Sequence, residues 1–331
     1  MQPPCKSHTL SGHVARHRTL NGPARRSIGT RALSGLLLAA LGAAGFGSKG
    51  VFAKFLYAAG WDFESVLAVR SMLALPLVWG WALRRVGPRS LLRAPPGAIL
   101  GAAAAGVLCY YVGALLDFYA LTLIAASIER VLLFAYPSMV VVLFSAIHRE
   151  WPARRVVAAL VLTYLGILMV VTGLDLGVLR GNLAGAGLVL GCALTSAIYY
   201  VATDHWTRSI GSIAFTLYAL TAAALCLGAH VLVRHGGPTP VWNPHTAWLM
   251  AGIVVFATVL PMLSMAEGVM RVGVQRAAVV SSVGPPTTIL LGAWLLGERL
   301  SAPQWLGVAA IVAGILVLEV LPARAPGPAP D

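Results

Sequence analysis

Ten times between residues 33 and 321 the chain runs for about twenty residues with few side chains that are not apolar, and no other feature limits the possible folds so strongly. Twenty residues at a helical rise of about 1.5 Å match a hydrocarbon core roughly 30 Å thick. Inside lipid every backbone N–H and C=O must be satisfied within the chain, so runs of this length are helices. They cover roughly 33–57, 63–83, 97–116, 121–147, 155–173, 182–203, 211–233, 246–266, 275–296 and 303–321. Composition agrees: 58% of the residues are hydrophobic and 11% charged, whereas a soluble domain is about 25% charged. The sequence therefore predicts an all-α membrane protein with ten transmembrane helices.

A formal charge of +13 would suit nucleic acid if it were spread over a solvated face. Here the basic residues sit in short segments between apolar runs, where they act as topology signals. With the N-terminus inside, sixteen fall on the cytoplasmic side, among them Arg84, Arg85, Arg89, Arg93, Arg149, Arg154 and Arg155, against three outside, Arg180, Arg234 and Arg299. Both termini are thus expected in the cytoplasm, with no nucleic-acid partner. Residues 1–31 hold six basic residues, three histidines and no acid. They cannot build an apolar core and read as a disordered basic cytoplasmic tail, with a targeting peptide or an over-long start as alternatives. Residues 322–331, PARAPGPAPD, form a second short tail.

The segment SIERVLLFAYPSMVVVLFSAIHRE (127–150) has a partner in RAAVVSSVGPPTTILLGAWLLGE (276–298). A shift of 148 residues lays Pro285 on Pro137, Leu291 on Leu143 and Glu298 on Glu150, and then Gly314, Ile315 and Leu316 on Gly166, Ile167 and Leu168. The chain reads as a duplication, with helices 1–5 in residues 32–173 and helices 6–10 in residues 182–321. Five is an odd number, so the second copy must enter the membrane inverted. The loops agree: HREWPARR after the fourth run is strongly basic, while GERLSAPQ after the ninth carries one arginine. Inverted repeats place a solute site near the midplane, and their relative rocking exposes it to each side in turn.

These features, with Arg70 in VLAVRSMLALPL, the proline-bearing YPSMVVVLFSAIHRE and its copy GPPTTILLGAWLLGERLSAPQWLGVAAIVAGILVL, resemble the EamA-like branch of the drug/metabolite transporter superfamily. The resemblance spans residues 32–321. It implies a secondary carrier in the bacterial inner or plasma membrane, exporting an amino acid or other small metabolite by alternating access, driven by a proton or solute gradient, with a homodimer left open. Two departures bear on the solute. The first copy has His148-Arg149-Glu150 where Gly-Glu is usual, and Glu129-Arg130 suits only a subset of members. An intramembrane enzyme and a non-transporting scaffold are the alternatives.

Charged side chains at membrane depth need a cavity or a partner. Arg70, seven residues into its run, either faces a central cavity or pairs permanently with Glu129. Glu129, read as the sole acid deep in a run of the first half, is a candidate proton carrier unless Arg70 or Arg130 holds it ionised. Lys49, in the glycine-rich GFGSKGVFAK, points toward an anionic group, while Lys54 is expected to snorkel or pair with Asp62 or Glu64. Tyr136 and Tyr200 are candidates for stacking on an organic solute. Pro137, Pro285 and Pro286 remove backbone donors and are candidate hinges or gates. Cys5, Cys109, Cys192 and Cys226 lack metal-ligand spacing. Without HExxH, GxSxG or GxxxxGK[ST], neither a catalytic residue, a metal, a cofactor nor ATP hydrolysis is expected.

Overall fold

The computed structural model describes residues 30–88, 91, 94–149, 154–173, 176–237, 242–272, 280 and 283–320. Regular structure among them is entirely helical. The first copy contains α1 (Thr30–Gly47), α2 (Lys49–Ala58), α3 (Phe63–Val86), α4 (Pro96–Gly106), α5 (Ala114–Leu123), α6 (Ala126–Leu133), α7 (Tyr136–His148) and α8 (Arg154–Thr172). The second contains α9 (Leu176–Ile210), α10 (Ser212–His235), α11 (Pro244–Val254), α12 (Leu260–Val272), α13 (Gly284–Leu295) and α14 (Ala302–Val320). A π-helical turn joins α4 to α5 (Val107–Gly113) and another joins α11 to α12 (Val255–Val259).

Among the described residues seven stretches, the first Ala32–Ala58 and the last Pro244–Val272, are long and apolar enough to cross a membrane. Shorter apolar helices lie at Val157–Thr172 and Ala302–Gly314. The difference from ten has local causes. α13 opens on Pro285 and Pro286, which cannot continue a hydrogen-bonded helix backward, and residues 273–279 lie outside those described, as do residues 1–29 of the predicted tail 1–31 and the whole of the predicted tail 322–331. The break expected between 116 and 121 is absent. The helix runs on to Leu123 and ends at the extended Ile124, because nothing in ALLDFYALTL breaks it.

The duplication is present in the backbone. Pro96 and Pro244 start α4 and α11, and Val107 and Val255 start the two π turns, each pair 148 apart. α7 and α13 begin at Tyr136 and Gly284, and the turns before them carry matching bonds, from Ala135 N to the Leu132 carbonyl (2.9 Å) and from Val283 N to the Val280 carbonyl (3.1 Å). α7 ends with Arg149 at φ 54°, where the copy has Gly297 at φ 66°. Arginine there accepts a left-handed conformation that glycine takes freely.

Contacts between the copies are reciprocal. Gly166 of α8 approaches Gly307 of α14, and Ala159 approaches Gly314. Since Ala159 corresponds to Gly307 and Gly166 to Gly314, the pair is related to itself by a two-fold exchange, and the two helices run antiparallel. α3 and α10 also cross antiparallel, with Met72 at Gly228 and Trp79 Nε1 donating to Thr221 Oγ1 (3.0 Å). Packing of α1 on α12 is matched by packing of α9 on α5.

Ion pairs gather at the two ends of the bundle. At one, Arg85 and Arg271 (3.1 Å) meet Glu267, and Arg271 donates to Ser34 (3.0 Å). At the other, Glu64 meets His235, and Glu298 meets the start of α6. Between them the flanks are apolar: Leu100, Leu225 and Leu290 are each more than 60% exposed. Patches of that kind need a lipid or protein cover.

Candidate functional site

The polar interior begins at a flaw in the first span. Ser48 interrupts the helix between α1 and α2, and the Gly47 carbonyl accepts from Thr288 Oγ1 of α13 (2.7 Å). Glycines make the approach possible: a side chain on Gly47 would lie 2.9 Å from Thr288 Oγ1, and one on Gly50 would lie 3.1 Å from Ala126 Cβ. Lys49 is then the first residue of α2. A cation is unfavourable at a helix N-terminus, and two acids offset it. Lys49 Nζ pairs closely with Asp117 and lies 3.4 Å from Glu129 Oε1. Glu129 stands in the first turn of α6, where a negative charge is favoured, while Asp117 lies within the continuous helix that runs from α4 through the π turn into α5.

Asp117 is the residue that sequence reasoning missed, because it fell in the supposed loop after 116. Its side chain is 5% exposed and that of Glu129 1%. The two carboxyls converge on the same Lys49 Nζ. Asp117 Oδ1 and Glu129 Oε2 are buried and have no hydrogen-bond partner among the described residues.

Beside this triad lies a cavity of about 260 Å³ whose wall includes Lys49, Arg70, Asp117 and Arg130, with Cys109 and Cys192. The Arg70–Glu129 pair weighed from the sequence does not form, since Lys49 takes Glu129. Arg70 lies over the Phe118 ring (4.8 Å to its centroid), which also neighbours Lys49 Nζ (5.5 Å). Arg130 lies over Phe134 (5.2 Å), close to Gly284, where a Cβ would come within 3.1 Å of Arg130 Nη2. Such contacts contribute on the order of 0.5–2 kcal/mol each. All five charged residues belong to the first copy. At their positions plus 148 the second copy has Ala197, Tyr218, Met265, Ala277 and Ala278.

Other predicted residues lie outside this wall. Glu129 stands behind Lys49. Tyr136 and Tyr200 stack on each other (centroids 5.2 Å apart, 13° between planes). Pro137 is half-buried in the first turn of α7, Pro285 is buried at the start of α13, and Pro286 is exposed. Glu298 holds a position that the sequence marked only as a repeat signature. Its Oε1 accepts from Ala126 N (2.7 Å), and its Oε2 from Ser127 N (3.0 Å) and Ser127 Oγ (2.6 Å). The second copy thereby caps α6 of the first, satisfying donors that a helix start leaves open. Gly292 leaves the space, since a Cβ there would lie 2.5 Å from Glu298 Oε2.

Glu64 pairs not with Lys54 but with His235, and lies 3.6 Å from His230 and 3.7 Å from Arg234. Ligand atoms of Asp62, Glu64 and His235 lie within 4.8 Å of one another. With Arg234 already beside Glu64, the cluster fits an ion-paired clasp between α3 and α10.

Comparison with known proteins gives a consistent picture. A family model described as the EamA-like transporter family matches residues 33–172 and again 183–320. The "Uncharacterized transporter YcbK" of Bacillus subtilis (strain 168) is 30% identical over 299 residues, covering 87% of this chain and 93% of that one. An "Uncharacterized transporter" of Archaeoglobus fulgidus is 26% identical over 274 residues, covering 81% and 91%. One solved structure superposes with a TM-score of 0.61 at 16% identity, over 87% of this chain and 97% of the other, a likeness of fold alone.

Proposed function

This chain belongs to the EamA-like transporter family, and from that premise we propose that it is a secondary carrier moving a small organic solute outward across the inner or plasma membrane. Ten helices cross the bilayer as two inverted copies, residues 32–173 and 182–321, with both termini cytoplasmic. The antiparallel, reciprocal packing of α8 with α14 and of α3 with α10 supports the inversion. One observation carries the reading: a charged cavity about 260 Å³ in volume lies between copies whose outer faces are apolar. Charged groups kept at such depth mark a solute path.

The two ends of the bundle supply what alternating access requires. Opening toward the Glu298 end must release its bonds to Ala126 and Ser127 and part the Glu64 clasp. Opening toward the other must part Arg85, Glu267, Arg271 and Ser34. Pro137 and Pro285, at matched helix starts, are the hinges of that motion. Coupling falls to Asp117 and Glu129, since one proton shared between them would satisfy both unpartnered oxygens and weaken their hold on Lys49. A second buried acid beside Glu129 is also what an intramembrane enzyme would need, but here both Asp117 and Glu129 are drawn onto Lys49 Nζ, which favours the carrier. Reconstitution into liposomes tests the reading. Carrier-dependent, saturable flux of a small solute is expected, and flux equal to that of protein-free vesicles across a broad metabolite mixture would refute it.

A further inference from the structure

The balance of charge in the cavity points to the kind of solute it takes, an inference that rests on the carrier reading above. Lys49 is already matched by Asp117 and Glu129. Arg70 and Arg130 open on the same cavity, and neither makes an ion pair or side-chain hydrogen bond among the described residues. Their Nε atoms are buried without a hydrogen-bond partner. With the shared proton released and both acids ionised, three cations against two acids leave one positive charge in excess among the described residues. The second copy does not cancel it, because the counterparts of Arg70 and Arg130 are Tyr218 and Ala278.

A buried cation without a counter-charge is costly, and a guanidinium presents a planar fork of donors that fits a carboxylate. The rest of the wall is largely apolar, with Phe46, Leu75, Val78, Leu133, Leu220 and Met262, so it covers a carbon skeleton rather than a second charge. The volume lies just under the roughly 300–1,000 Å³ usual for small-molecule sites. We propose that the solute is a monocarboxylate with an apolar or aromatic body, its carboxylate held by Arg70 and Arg130, and that zwitterions and cations of the same shape are rejected. A monoanion neutralises the cavity. A zwitterion leaves the excess charge in place and adds an ammonium to it.

The test uses four probes on one skeleton: 3-phenylpropionate, 3-phenylpropionamide, 3-phenylpropylamine and phenylalanine. Binding to the full chain in detergent is read by thermal shift, and flux by counterflow in proteoliposomes. The carboxylate is expected to bind at least tenfold more tightly than the other three, about 1.4 kcal/mol. Arg70→Gln and Arg130→Gln should each remove that preference, whereas Arg70→Lys and Arg130→Lys, which keep the charge should a glutamine variant fail to fold, should retain part of it. Preferred binding and flux of phenylalanine, the amine or the amide would overturn the anion inference and leave the carrier reading standing. Carboxylate binding without flux of any probe would support the anion site and count against transport. Binding of none at millimolar concentration would overturn the inference.

Discussion

Replacing Glu298 by alanine separates a gate from a mere helix cap. The substitution strips the acceptor from Ala126 N, Ser127 N and Ser127 Oγ at once. Loss of an N-cap costs about 1–2 kcal/mol, and loss of a negative charge at a helix N-terminus roughly 0.3–1 more. If those bonds exist only while this end is closed, the whole of about 1.5–3 kcal/mol shifts the equilibrium toward opening, roughly 10- to 150-fold. Cys109 and Cys192 are native reporters, buried in the wall of the cavity. In a Cys5→Ser, Cys226→Ser background, a membrane-impermeant thiol reagent applied from the Glu298 side should label them tens of times faster in Glu298→Ala, with Glu298→Gln intermediate. A lowered melting temperature with unchanged labelling would mean that the cap persists in every state, and the gating argument would be wrong.

Three further outcomes are expected. Glu129→Gln should abolish stimulation of flux by a pH gradient while leaving gradient-free counterflow measurable, and gradient stimulation equal to wild type would remove Glu129 from coupling. Gly307→Val places a Cβ 2.6 Å from the Gly166 carbonyl oxygen, so overpacking should lower stability by about 1–3 kcal/mol, read by thermal unfolding in detergent. Arg149→Gly relieves a left-handed arginine and should raise the unfolding temperature, by about 1 kcal/mol of stability, without altering flux.

Much of the architecture was legible in the residues because lipid leaves few alternatives. Run length gave about half of the helices to within a few residues, and the 148-residue offset, seen first in Pro137 and Pro285, extends to the π turns at Val107 and Val255. The site was legible only in part. Lys49, Arg70 and Arg130 line one cavity, but their partners could not be read from single helices. Glu129 meets Lys49 from 80 residues away, and Glu298 meets Ser127 from 171. Asp117 was hidden by a boundary: a polar residue after an apolar run looked like a loop, although ALLDFYALTL has no glycine or proline to end the helix. Tyr200 could not be sorted from the sequence either, since it stacks on Tyr136 while remaining 48% exposed.

The proposed carrier rests on an opposed orientation of the two copies, and labelling tests that orientation directly. Arg154 and Arg299 are both exposed, at the start of α8 and in the turn before α14. Single cysteines at these positions, in a background freed of native cysteines, are to be reacted with an impermeant reagent in sealed vesicles of known orientation. Opposite sides are expected, with Arg154→Cys reacting from the cytoplasmic face and Arg299→Cys from the outer one. Reaction of both from the same face would contradict the inverted arrangement.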